Sequence, residues 1–197
     1  MKGGGDMHTH FYHASNLGGL TELLPLSKMH GEDGFVCYLS PDRAYALFYL
    51  RDMEINHVTA YIDKNSIAIY QEQFSNQLMT MYHGRSGYLY TCINDGSIRQ
   101  GHTSGVWISK SPVYISESEH VCNVYDEIIK AEQHDLVRII RYEDQTAEHK
   151  RGHLEIAKHT ILANKLQQVD TPKSRFYKHN FPTAWLAAMD ESERHSE

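Results

Sequence analysis

At 197 residues, with 41% hydrophobic and 22% charged content, the chain has the make-up of one globular domain with a sizeable core, and a second complete domain would be cramped. A net charge of −6 with scattered Lys and Arg gives little drive toward phosphate backbones, which argues against nucleic acid as the main partner. Cys37, Cys92 and Cys122 are odd in number with no C-x-x-C pair, a pattern of reduced thiols in a cytoplasmic protein, and no apolar run approaches the roughly 18 residues of a membrane span. The surplus is in 14 His and 13 Tyr, types that mark sites and also serve as half-buried core.

Met1 to Asp6 is Gly-rich and is set aside, with residues 1–9, as a disordered start. His10 to Ala14 reads as a first strand, Asn16 to Gly19 as a turn, and Leu20 to Leu24 as a short helical or irregular piece. After a polar loop at His30 to Gly34, Phe35 to Leu39 has the compact apolar character of a buried strand. Ser40-Pro41-Asp42 then predicts a helix capped by Ser40 and running from Pro41 to about Met53.

His57 to Ile62 and Ile67 to Phe74 form an expected hairpin across Asp63 to Ser66. Asn76 to His83 predicts a short helix ended by Gly84; Tyr88 to Ile93, Val106 to Ser109 and Val113 to Ser116 are strand-like. Ser116-x-x-Glu119 has the form of a capping box, and the helical spacing of Val121, Val124, Tyr125, Ile128 and Ile129 predicts a helix over Glu117 to Gln133. Leu136 to Tyr142 follows as a strand and Glu148 to Leu166 as a long helix weakened by Gly152. Past Val169, the aromatics Phe176, Tyr177, Phe181 and Trp185, with Leu186, are expected to dock on the body, and 190–197 to be disordered. The result is an α+β domain over residues 10–189.

Three chemistries compete. Asp6-Met7-His8-Thr9-His10 has the D-x-H-x-H form of metal-dependent hydrolases, in which alternate His on a strand bind a metal; here only a Gly-rich stub precedes it where those folds need a buried strand. That reading would use His8, His10 and His13. No G-x-S-x-G elbow, Walker or G-x-G-x-x-G spacing occurs.

The remaining constellation is Phe11-Tyr12-His13-Ala14-Ser15, then His30-Gly31, then Cys37-Tyr38-Leu39-Ser40-Pro41-Asp42-Arg43-Ala44-Tyr45-Ala46. An aromatic-His-small-Ser strand, a polar loop, and a strand ending Tyr-aliphatic-Ser before an Ala-rich helix resembles the ADP-ribosyltransferase superfamily, nearest in look to its rifampin-modifying members and more loosely to the tRNA-splicing RNA phosphotransferases. The resemblance spans roughly residues 10 to 116. It implies a split core of short, mainly antiparallel strands with C-terminal helices, NAD as substrate, and transfer of ADP-ribose to an unknown acceptor with release of nicotinamide.

By the same resemblance His13 holds the nicotinamide-proximal ribose, Tyr38 stacks on the nicotinamide, and an acid further on acts at the acceptor. Glu72 is the preferred acid and Glu117 its rival, since Glu117 is also explained as a first-turn acid. Ser15 belongs with the same segment. Tyr45 and Tyr49, one helical turn apart, make a face that either walls the pocket or packs the core, and Arg43 either reaches the pyrophosphate or is a solvated surface charge. A catalytically inactive nucleotide- or protein-binding module on the same scaffold is the alternative outcome.

Overall fold

The computed structural model describes residues 9–29, 31–51, 55 and 59–194. In chain order the strands are β1 (His10–Ser15), β2 (Glu22–Leu23), β3 (Ser27–Lys28), β4 (Phe35–Leu39), β5 (Thr59–Ile62), β6 (Ala68–Gln71), β7 (Gly87–Ile93), β8 (Arg99–Gln100), β9 (Trp107–Ser109), β10 (Val113–Val121) and β11 (Val137–Ile140). The helices are α1 (Arg43–Ala46), α2 (Gln77–Tyr82), α3 (Val124–Gln133), α4 (Ala147–Ala163), α5 (Pro172–Asn180) and α6 (Pro182–Arg194), with 3-10 turns at Leu47–Tyr49 and Leu166–Gln168. The mixture is α+β. None of the described helices is long and apolar enough to cross a membrane.

The described residues group into two compact units, one drawn from residues 9–29, 31–51, 60–70 and 81–138, the other from 55, 59, 71–80 and 139–194. The first is built on two four-stranded sheets, ordered β1-β7-β10-β2 and β3-β4-β9-β8, whose neighbouring strands pair antiparallel. Phe11, Cys92, Val113 and Leu23 from one sheet and Cys37 and Leu39 from the other form a shared buried cluster, with Ile98 among them. Each fully buried side chain of this size contributes about 1.5–3 kcal/mol relative to exposure, so this layer fixes the spacing of the two sheets. Tyr12 and Ser40 exchange backbone hydrogen bonds at 2.7 and 2.9 Å, which ties β1 to the end of β4. The expected hairpin forms from β5 and β6, neighbours in a three-stranded sheet ordered β11-β6-β5, and Asp63 Oδ1 accepts from the N–H groups of Asn65 and Ile67 in its turn.

Several elements differ from the sequence-based expectation, each for a local reason. The helix expected from Pro41 to about Met53 is only α1 plus one 3-10 turn. Its cap is Asp42, whose carboxylate accepts from Tyr45 N at 2.7 Å, while the backbone of Ser40 is taken by β1. Met53 lies outside the described residues. The helix expected from Glu117 begins at Val124, because β10 runs on to Val121 in register with β7 and draws Glu117 and Glu119 into the ladder. A bulge at Ser116 lets that strand continue, with the Ser116 hydroxyl donating to the Thr91 carbonyl at 3.0 Å. Leu20 to Leu24 contributes the two-residue strand β2 against β10 instead of a helical piece.

In the second unit, Pro172 and Pro182 open α5 and α6, as their fixed φ and missing N–H permit at a first helical position. Helix α6 reaches Arg194, so the disorder expected from residue 190 does not hold up to there; 195–197, like 1–8, His30, 52–54 and 56–58, lie outside the described residues. Phe176, Tyr177, Phe181 and Trp185 are buried as expected, with Phe74 packed edge-on against Phe176 and Phe181, but Leu186 is exposed. Gly152 does not interrupt α4, whose Thr146 cap accepts from His149 N.

Candidate functional site

Two neighbouring strands, β1 and β4, place the first two candidate residues. Phe11, His13 and Ser15 alternate onto one face of β1, and Phe11 is locked in the core, so His13 is carried to the edge of that core. His13 Nδ1 donates to the carbonyl of Tyr38 on β4 at 2.8 Å, and the two rings lie 5.0 Å apart at 54°. A carbonyl can only accept, so the proton sits on Nδ1 and the lone pair on Nε2. Burial pushes the His13 pKa below the ordinary value, the bond to Tyr38 opposing it only in part, which keeps the ring neutral at neutral pH. Tyr38 also contacts the Tyr49 ring at 4.8 Å, and burial raises its phenol pKa despite the nearby Arg51 charge.

His13 and Tyr38 line one cleft of about 250 Å³, together with Ser15, Ser27 and Glu22. Its remaining wall is largely aliphatic, including Leu20, Leu23 and Val36, with Leu17, Leu24 and Leu26 as an exposed apolar rim. That volume is slightly under the ~300–1,000 Å³ of pockets that enclose drug-sized ligands, so it holds one aromatic ring with part of a sugar, and a dinucleotide would extend beyond it. The rim is held from below: Tyr90 donates its hydroxyl to the Leu17 carbonyl at 2.6 Å and accepts from Leu20 N at 3.4 Å. Gly18 sits between these two because a Cβ there would come within 2.5 Å of the Tyr88 ring.

The other candidates are placed elsewhere. Glu72 belongs to the second unit and is buried, with Oε1 accepting from Leu78 N at 3.0 Å and Oε2 from Tyr142 N at 3.2 Å. Both oxygens are thus used to hold backbone, and Gln145 spans from the Glu72 carbonyl to His153. Glu117 stands on β10 opposite Thr91, whereas His13 is in line with Tyr90 and Ser118; the alternation sends Glu117 to the face away from His13. Glu119 shares that outer face, where Arg43 donates to it at 2.5 Å and to Glu127 at 3.2 Å. The guanidinium of Arg43 is therefore occupied by two carboxylates and lines a different depression. Tyr45 is buried against Phe48 in the core, and neither it nor Tyr49 lines the cleft, although Tyr49 supports the Tyr38 ring.

Two residues of this neighbourhood escaped the reading of the sequence. Glu22, one of the residues along the cleft, sits in a stretch with no strand signal, and its pairing with Tyr114 places it on the sheet face opposite Leu23. Arg51 is a buried cation whose guanidinium lies 3.9 Å from the Phe48 ring centroid and 5.5 Å from that of Tyr49; its only signal was a charge closing an aromatic run. Of the proposed metal-binding group, Asp6 and His8 lie outside the described residues and His10 is exposed beside Thr9. Among the described residues no three His, Cys, Asp or Glu side chains gather as a metal would require. Comparison with protein-family models, curated proteins and solved structures found no match to this chain.

Proposed function

We propose that the chain is an ADP-ribosyltransferase-like protein that takes NAD by its nicotinamide–ribose end. The ring lies against Tyr38, a ribose hydroxyl donates to the free Nε2 of His13, and Ser15 and Ser27 complete the polar contacts at the cleft. In the reaction the bond between ribose C1′ and the nicotinamide nitrogen breaks, its electron pair leaving with nicotinamide. An acceptor nucleophile bonds to C1′ and loses its proton to solvent. The intervening centre is oxocarbenium-like, so a positioned carboxylate stabilises it without a covalent nucleophile. Neither Glu72 nor Glu117 enters this reading, because one is consumed by backbone and the other faces away; Glu22 is the acidic residue among those along the cleft.

The observation that carries the reading is the contact of a neutral, singly oriented imidazole with a tyrosine ring in the wall of one cleft. Incubation of the full chain with NAD tests it: nicotinamide is released by the native protein and not by His13→Ala or Tyr38→Ala. A second reading, a binding module without turnover, is favoured by one feature. The cleft's lining side chains include no Lys or Arg to meet a pyrophosphate, and Arg43 is already paired. NAD binding without nicotinamide release would select it.

A further inference from the structure

Arg51 lines no part of the cleft, yet a single ring connects it to the cleft wall. Its guanidinium lies 5.5 Å from the Tyr49 ring centroid, and the Tyr49 ring lies 4.8 Å from that of Tyr38 at 40°. Tyr38 thus contacts two rings, His13, which lines the cleft, and Tyr49, which does not. The buried guanidinium also lies 3.9 Å from the Phe48 ring centroid and donates to the Phe48 carbonyl at 3.0 Å, in the 3-10 turn Leu47–Tyr49. Tyr82 donates its hydroxyl to the same carbonyl at 3.0 Å. Two side chains therefore converge on one carbonyl and fix the turn that carries Tyr49, whose ring packs edge-on against Phe48 at 5.2 Å and Tyr45 at 6.1 Å. Burial raises the phenol pKa values of both Tyr38 and Tyr49, and at both the Arg51 charge opposes it, so the guanidinium is within electrostatic reach of the cleft wall and of its support.

We infer that Arg51 is a positioning residue for the cleft: by anchoring the Leu47–Tyr49 turn it holds the Tyr49 ring against Tyr38, and so fixes the plane that Tyr38 offers to a ligand ring. This rests on the reading of Tyr38 as the seat of a nicotinamide-type ring, and deepens it. Ring–ring attraction depends on tilt and offset, so a seat that turns freely loses part of it. A buttressed ring is also ordered before the ligand arrives, whereas a loose one has to be ordered at each binding event. The guanidinium suits this task because it is flat: it stacks on Phe48 and caps the Phe48 carbonyl at once, which the compact ammonium of a lysine does not.

Two neutral carboxamides of similar size test this: nicotinamide, whose ring is aromatic, and cyclohexanecarboxamide, whose ring is saturated. Each is titrated by ligand-observed NMR against the full-length native protein, Arg51→Gln, Tyr49→Leu, Tyr49→Phe and Tyr38→Ala, with circular dichroism and thermal unfolding to show which variants are folded. The native protein is expected to prefer nicotinamide by about 2- to 10-fold, the size of one ring–ring contact, and Tyr38→Ala to lose that preference. In Arg51→Gln and Tyr49→Leu the preference falls toward that of Tyr38→Ala, while cyclohexanecarboxamide binds within twofold of native; Tyr49→Phe, which keeps the ring, keeps the preference. Where Arg51→Gln does not fold, Arg51→Lys takes its place under the same criteria. An unchanged preference in folded Arg51 or Tyr49→Leu variants, or an equal weakening of both carboxamides, overturns the positioning role while leaving Tyr38 as the ring seat. Absence of any preference in the native protein, or a preference that survives Tyr38→Ala, overturns the ring-seat reading and this inference with it.

Discussion

The bond from His13 Nδ1 to the Tyr38 carbonyl fixes the tautomer of a ring that burial keeps neutral, and so leaves Nε2 as the acceptor of the ring. An acceptor of this kind works only while unprotonated. NAD affinity is expected to be constant above the ordinary His pKa of 6.5 and to fall at pH values below it, as the lowered pKa of His13 is reached. His13→Gln should bind about 2- to 10-fold more weakly, the value of one hydrogen bond, and lose that acid limb. A pH series of NAD titrations on both proteins checks this.

The same shift has a consequence for stability. His13 and His153 both have folded pKa values below 6.5, chiefly through burial, so below 6.5 the unfolded chain binds protons that the folded chain resists. Their contribution is fully present above 6.5 and is lost as pH falls from there through the folded values. Urea unfolding at stepped pH should show stability declining on the acid side of 6.5, with a shallower decline in His13→Gln and in His153→Gln.

Glu72 is expected to behave as a structural carboxylate. Its two oxygens hold Leu78 N and Tyr142 N in a buried setting, so Glu72→Ala leaves two donors unsatisfied and should cost about 2–5 kcal/mol in denaturant unfolding. Glu72→Gln keeps one acceptor and should cost less. In folded protein, ring binding at the cleft should stay within twofold of native; a collapse of NAD turnover in folded, native-like Glu72→Gln would instead restore Glu72 as the reacting acid.

Tyr90 supports the rim of the cleft without touching its opening. Tyr90→Phe deletes the hydrogen bonds to Leu17 O and Leu20 N with almost no change in volume, at an expected loss of about 1–2 kcal/mol of stability. The loosened turn around Gly18 should weaken NAD binding several-fold, and amide exchange at residues 17–20 should speed up while β7 stays protected.

The three thiols should separate cleanly. Burial raises Cys37 to about 11 and Cys92 to about 12, whereas Cys122 is exposed beside His120. A disulfide reagent at neutral pH should modify Cys122 rapidly and the other two only on unfolding, and Cys122→Ser should abolish the fast phase.

Much of the framework was legible wherever a short segment carried its own signal. The aromatic run at His10, the apolar run at Phe35, the Asp63 to Ser66 turn and the Gly84 stop at φ +72 all became the expected elements, because alternation and turn chemistry act over a few residues. Ser116 to Glu119 shows the limit of that reasoning. The segment has a helix-start pattern, yet the ladder with β7 offers its backbone hydrogen bonds from Ile115 to Val121 of β10, and that long-range pairing prevails over a local cap of about 1 kcal/mol.

By itself, then, the sequence determined the residue chemistry, an imidazole and a phenol 25 positions apart on two strands, together with the charge balance and three cysteines without a C-x-x-C pair. Tertiary structure decided their partners. It joined His13 to the Tyr38 backbone, spent Glu72 on two amides, tied Arg43 to Glu119 and Glu127, and brought Glu22 to the cleft. The reason is that a side chain's type and its strand face are local properties. What it hydrogen-bonds or confronts is set by which distant strands pair, and that pairing follows from burying the shared core of both sheets.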